Sequence, residues 1–208
     1  MILRPSNTRG ILTSQSWIQS RRTFSNNSYR DPRYKNFGSL CAINDDILWP
    51  GYTIAKHEHK NLDILGYMIE GQLEHWDSLG NTSIANPGQV QHMWCGRSIW
   101  HTEKCISDKP SRYLQIWITQ DSKDTDPLYE LYNRETLQFS KLNIKMNTTM
   151  QVYAGILNNE YTPSKSYLYV ISGKCQIDGQ MLYEGDGAEL DGETIVPTDS
   201  PHLILFVI

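Results

Sequence analysis

Apolar and polar positions along this chain alternate with a period of two, in short runs that turn formers interrupt. "GYTIAKHEH", "ILGYMIEGQLEHW", "RYLQIWITQ", "QVYAGIL", "SYLYVISGKCQI" and "HLILFVI" are rich in Val, Ile, Leu and Tyr, and "DSLGN", "NPGQ", "DGQ", "EGDG" and "LDGE" separate such runs. The pattern predicts an all-β protein of many short strands. One helix is predicted, over "DPLYELYNRE" (126–135), because an aspartate precedes Pro127 at the first helical position. The chain also repeats itself. "YMIEGQ" (67–72) returns as "YVISGK" (169–174), 102 residues on, and "NPGQV" (86–90) has a looser counterpart in "YEGDGAEL" (183–190). Two β units in tandem follow, each a double-sheet jelly roll whose mouth is open to a ligand, with domains expected at 1–132 and 133–208.

Composition narrows the function. The 208 residues are 39% hydrophobic and 20% charged, enough for a core, and the net charge of −4 with a pI near 5.8 gives no basic surface for phosphates. Direct nucleic-acid binding is therefore not expected, and small molecules or a protein partner are. Cys41, Cys95, Cys105 and Cys175 show no CxxC pair, and no apolar run reaches the roughly 20 residues of a membrane helix. A reducing cytoplasmic location with no membrane is the simplest expectation. The opening "MILRPSNTRGILTSQSWIQSRRTFS" is rich in Arg and Ser with no acid before Asp31, and so imitates a transit peptide. Its aromatics and its continuity with the next strand-like run favour mature protein.

The candidate chemistry lies in "HEHKNLD" (57–63) and "WHTEK" (100–104). In a strand, residues two apart share a face, so His57 and His59 point together, as do His101 and Glu103. On neighbouring strands of the first unit, three imidazoles and one carboxylate would converge inside the barrel. Such an N/O set without thiolate suits iron, manganese, nickel, copper or zinc and leaves an octahedral ion two open positions. A structural zinc is more often closed by four ligands. A lone HxH carries little weight; HxH followed by HxE in the same unit carries much more.

The residues around these pairs resemble a known family. "GYTIAKHEH" fits the first cupin motif, and the run from "FGSLCAINDD" to "EHWDSLGN" followed by "PGQVQHMWCGRSIWHTE" resembles the pirin family of bicupins, as do "SWIQSRRTFS" and "RYLQIWI". The resemblance is specific over residues 4 to about 120 and looser over 140–208. It implies one divalent metal ion, most often Fe(II), with Ni, Mn, Cu or Zn as alternatives, held by His57, His59, His101 and Glu103. It also implies one of two roles: a quercetin 2,3-dioxygenase opening flavonols with O2, or an iron-dependent partner of transcription regulators. Three departures stand out. Asp63 replaces the glutamate of the general motif, Arg22 stands where a histidine is common, and Trp94 and Cys95 occupy positions of small side chains, where they would crowd or tune the approach to the metal.

Carried across the repeat, the HxH pair falls on Asn159 and Tyr161 and the later pair near Thr198, so the second unit lacks the ligand set, and His202 alone makes no site. His75 and His92 could orient a ligand or a substrate, but partly exposed strand histidines are the simpler reading. Gln115 could bond into the cavity. Cys95 is either a redox-sensing thiol or, more simply, a small buried hydrophobe. Tyr67, Trp76, Trp94, Trp100 and Trp117 are read as core packing, with an apolar pocket lining as the alternative. "GDGAEL" lacks the strand-to-helix context of a phosphate loop.

Two functional readings result. In the first, the metal binds an aromatic, enolizable substrate and O2, and Glu103 is the catalytic base for the substrate hydroxyl. In the second, the metal's oxidation state sets a protein-binding surface, a redox-sensitive transcriptional co-regulator without turnover. A vestigial site in a structural bicupin is the third, blander expectation.

Overall fold

The computed structural model describes residues 1–14, 17–26, 29–134 and 136–208. Among the described residues every element is a strand except a 3-10 turn at Ser6–Thr8. The predicted helix is a strand instead: Leu128–Tyr132 pairs antiparallel with Val90–Trp94, placing Tyr129 opposite Met93. Its Pro127 was a sound start signal, but Tyr129 and Leu131 alternate with exposed Leu128 and Glu130, and an open sheet edge rewards that period. Glu135, the last residue of that reading, lies outside the described residues.

The chain divides into two units, Gly10–Arg134 with Ile144–Thr148, and Met1–Arg9 with 135–143 and Thr149–Ile208. The first unit faces a seven-stranded sheet with a four-stranded one. The larger runs Leu128–Tyr132, Val90–Trp94, Leu62–Glu70, Ser111–Thr119, Leu40–Leu48, Ile18–Arg22, Gly10–Ser14; the smaller runs Thr53–His59, Ile99–Cys105, Leu73–Asp77, Thr82–Ala85. Buried Leu48, Met68, Leu73, Ala85, Cys105 and Tyr113 form one core cluster between the sheets, and Ile64, Met93, Cys95 and Ile99 form another. At roughly 1.5–3 kcal/mol per buried large side chain, these clusters fix which face of each strand turns inward.

The second unit has the same plan. Six strands, in the order Ile2–Arg4, Gly187–Asp191, Lys165–Ser172, His202–Val207, Gln151–Ile156, Ser140–Lys141, face three more, Gln180–Tyr183, Lys174–Ile177 and Val196–Pro197. Leu168, Val170, Cys175, Ile177, Leu203 and Leu205 fill its interior. The units interleave at both ends where the sequence suggested one cut after residue 132. Ile2–Arg4 takes the open edge of the second unit's sheet beside Gly187–Asp191, and residues 144–148 return to the first unit, where the Asn147 amide bonds Asp63. The internal repeat is real in three dimensions. Leu62–Glu70 and Lys165–Ser172 are both central strands, each closed by a left-handed glycine, Gly71 at φ 72° and Gly173 at φ 73°. No helix among the described residues is long and apolar enough to cross a membrane.

Candidate metal centre

Antiparallel pairing carries out the convergence that alternation predicts. Ile99–Cys105 lies beside Thr53–His59 with His101 directly opposite His57 and Ile99 opposite His59. The register then slips, so that Glu103 faces Ile54. This bulge gives the His57 strand an extra residue and re-aims its side chains, letting His57 Nδ1 donate to the Ala55 carbonyl at 2.9 Å. That bond fixes the tautomer with a lone pair on Nε2. Nε2 of His57 stands 3.0 Å from Nε2 of His101, and His59 Nε2 is buried without a hydrogen-bond partner. The donor atoms of the three rings all lie within 4.8 Å of one another, the group among the described residues that suits one metal ion.

Three observations fit a metal there. Two nitrogens bound at about 2.1 Å and at right angles stand about 3.0 Å apart, the spacing of His57 and His101. Burial favours the neutral form of the two inner rings, as ligands must be: it pushes His59 down to about 4, helped by His57, and His101 down to about 2, helped by His57, His59 and His75. The buried, unpartnered nitrogen of His59 is a costly group unless something occupies it.

Glu103 stands outside the three-histidine group but on the same inward face, 3% exposed. The Tyr113 hydroxyl and Gln115 Nε2 donate to its Oε2 at 3.1 and 3.2 Å, and Trp117 Nε1 donates to Gln115 Oε1 at 3.1 Å. Alternate residues of one strand thus hold the carboxylate, and both bonds land on Oε2, leaving Oε1 for a ligand or a proton. Burial raises the Glu103 carboxyl to about 7 against the pull of those two donors, with nearby Asp46 adding to the rise. Asp46, itself buried, is also raised to about 7, chiefly by desolvation.

Several polar residues of the first unit take buried places that the sequence alone does not announce. His75 and His92 are buried, each 1% exposed, rather than partly exposed. His75 bonds Asp77 at 3.1 Å, stacks on Tyr129 at 4.1 Å and lies 5.6 Å from the His101 ring. Tyr129, the residue missed by reading its strand as helix, is anchored by Ser83 and by Gln91 Nε2. His92 pairs with Asp63 at 2.7 Å, which accounts for the aspartate at that motif position. Arg22 is buried, donating to the Asn26 carbonyl and Oδ1 at 3.1 and 3.0 Å.

The expected crowding by Trp94 and Cys95 does not occur. Trp94 gives its indole N–H to Thr125 at 2.7 Å, while its neighbour Met93 joins Cys95 and Ile99 in the core, so the indole turns to the other side of the strand. Burial pushes the Cys95 thiol far up, and the side chain is a small core hydrophobe rather than a reactive thiol. The aromatic at the histidines is Trp117, 5.1 Å from His59 and edge-on. Trp76 and Trp100 are neither core nor pocket; each is 40% exposed on the outer face, with Lys56 Nζ 5.2 and 5.8 Å from their rings. Tyr67 is buried, its hydroxyl accepting from Arg134 at 2.7 Å.

Comparison with known proteins finds relatives that match nearly the whole chain. The pirin family model matches residues 5–118. A protein of Escherichia coli strain K12 named quercetin 2,3-dioxygenase is 30% identical over 211 residues, covering 93% of this chain and 91% of the relative. The crystal structure of the bacterial pirin YhhW from Escherichia coli in complex with nickel(II) superposes with a TM-score of 0.92 at 28% identity, over 98% of this chain and 96% of that one. A quercetin 2,3-dioxygenase structure from Acinetobacter baumannii shares the fold, with a TM-score of 0.78 at 20% identity over 98% and 77% of the two chains.

Proposed function

Because this chain belongs to the pirin family, we propose that it is a metal-dependent dioxygenase that opens flavonol-like, enolizable substrates with O2, a reading supported by its Escherichia coli relative, which is named quercetin 2,3-dioxygenase. The observation that carries this reading is the convergence of the His57, His59 and His101 donor nitrogens within 4.8 Å of one another, with the buried Glu103 carboxyl on the same inward face. In this reading His57, His59 and His101 hold the ion, and Glu103 completes the set through its unbonded Oε1. Fe(II) is the metal we assign; nickel, manganese, copper and zinc suit the same donors.

A bound divalent ion supplies Lewis acidity toward a substrate oxygen and electron transfer toward O2. The protein does the rest. Half-buried His57 marks the side from which substrate enters, since His59 and His101 are buried. Trp117 offers an edge for a flat ring next to His59. Glu103, once its Oε1 is released from the ion by incoming substrate, would take the substrate hydroxyl proton on that oxygen, while Tyr113 and Gln115 hold its Oε2 and keep the carboxylate from rotating. Beside a bound cation this carboxyl would stay ionised, the form that accepts a proton, against the burial that raises it.

The test is O2 consumption together with loss of the flavonol absorbance band, using anaerobically Fe(II)-loaded protein and quercetin. Turnover that vanishes in His101→Ala supports the enzyme; absence of turnover in protein carrying one iron contradicts it. A second reading, a metal-dependent protein-binding module acting as a transcriptional co-regulator, draws on the exposed Trp76, Trp100 and Lys56 surface, because Trp100 adjoins His101 in the chain and lies on the reverse of the metal-bearing strand. It predicts partner capture that Trp100→Ala abolishes without change in metal content.

A further inference from the structure

The strand registers allow the two interiors to be superposed residue by residue. Tyr67 and Tyr169 are equivalent in the repeat; Tyr67 pairs with Leu114, and Tyr169 with Ile204. One step along, Gln115 pairs with Asn44 in the first unit and Leu205 with Tyr153 in the second. Tyr161 bridges Ile195 as His59 pairs with Ile99. Tyr161 therefore occupies the place of a metal-binding histidine, and Tyr153 that of an interior polar residue.

These two rings do not simply fill the barrel. With Phe139 they form a cluster, ring centroids 5.2 to 6.0 Å apart, that walls a cavity of about 330 Å³. That volume lies in the range of small-molecule sites, and barrel mouths are where such sites recur. Buried Leu157 and half-buried Ile156 lie at the apolar end, and exposed Asn158, Asn159 and Glu160 with Gln138 supply hydrogen-bonding groups at the rim. No histidine, cysteine or cluster of carboxylates lines it, so its chemistry is not that of a metal site.

We propose that the mouth of the second barrel binds a small, neutral hydroxylated aromatic compound, independently of the metal centre. An apolar ring matches the aromatic and aliphatic wall, and its hydroxyl reaches the rim amides. A sugar, hydroxylated all round, would bury hydroxyls against Ile156 and Leu157 without partners. An aromatic acid would meet the Glu160 carboxylate.

The probe is 2-naphthol, a monohydroxy ring that does not chelate metal, titrated into the full-length chain by calorimetry and by amide NMR shifts. Saturable binding below about 1 mM is expected, unchanged by EDTA and by His101→Ala, with shifts gathered at residues 138–140 and 156–161. Tyr161→Ala should weaken it about tenfold, and Tyr161→Phe, which keeps the ring, should not. Absence of saturation in the folded wild type overturns the proposal. So do shifts gathered around His57 and Trp117, or binding lost with His101→Ala.

Discussion

Where the first barrel sets Gln115 opposite Asn44, the second sets Leu205 opposite Tyr153, and where the first sets Tyr113 opposite Met68, the second sets Leu203 opposite Val170. Pairing and pleat are the same, yet the interiors differ in kind. The first holds three imidazoles and two carboxyl groups raised to about 7; the second holds aliphatic side chains almost throughout. Strand register depends on which positions face inward, not on what stands there, so one framework tolerates both. The polar interior is bought with stability, since each buried carboxyl must ionise in a poor solvent unless a cation joins it.

The largest effect should come from removing a ligand. His101→Ala should lower metal affinity by more than the roughly 10–100-fold that loss of an outer supporting group costs, read by competition with a chelator. Next, Leu205→Ala should destabilise the chain by about 2–5 kcal/mol in denaturant unfolding while leaving metal affinity unchanged, because 205 lies in the apolar barrel. Gln115→Leu writes the second barrel's residue into the first. It frees Glu103 Oε2 from one donor and Trp117 from its acceptor, and should lower kcat/KM about 10–100-fold with one metal still bound.

The smallest effect is pH-dependent. Glu103 has a folded value of about 7 against an ordinary 4.5, so its contribution to stability is full below 4.5 and is lost as pH rises through 7. Metal-free Glu103→Gln should therefore be more stable than metal-free wild type at about pH 8, by on the order of 1 kcal/mol, and gain nothing at about pH 4.5. Buried His101 works in the other direction, full above 6.5 and lost as pH falls toward 2, and cancels because both proteins carry it. Thermal melts at the two pH values measure the difference.

Much of the site was legible because it is local. HxH and HxE put side chains on one face by strand geometry alone, and the family resemblance brought the two strands together. The repeat located both central strands for the same reason. What escaped depended on distant partners. His75 and His92 resembled surface residues because nothing nearby in sequence announces a stacked Tyr129, and Asp63, 29 residues from His92, reads as a weakened motif position until the pair is seen. Tyr129 was hidden by Pro127, whose helix-start signal outweighed a five-residue alternation; the Y-x-L spacing at 129 and 131 was the clue available. Trp94 and Trp117 were both candidates, and only the strand face, fixed by packing of Met93, tells which one meets the histidines.

The proposed chemistry requires that the first barrel's histidines hold one metal ion and that the second barrel hold none. Anaerobic titration of metal-free protein with Fe(II), followed by calorimetry, decides this by comparing wild type with His57→Ala/His59→Ala and with Tyr161→Phe. One equivalent should bind to wild type and to Tyr161→Phe, and none to the double histidine variant. Tight binding retained without His57 and His59 would contradict it.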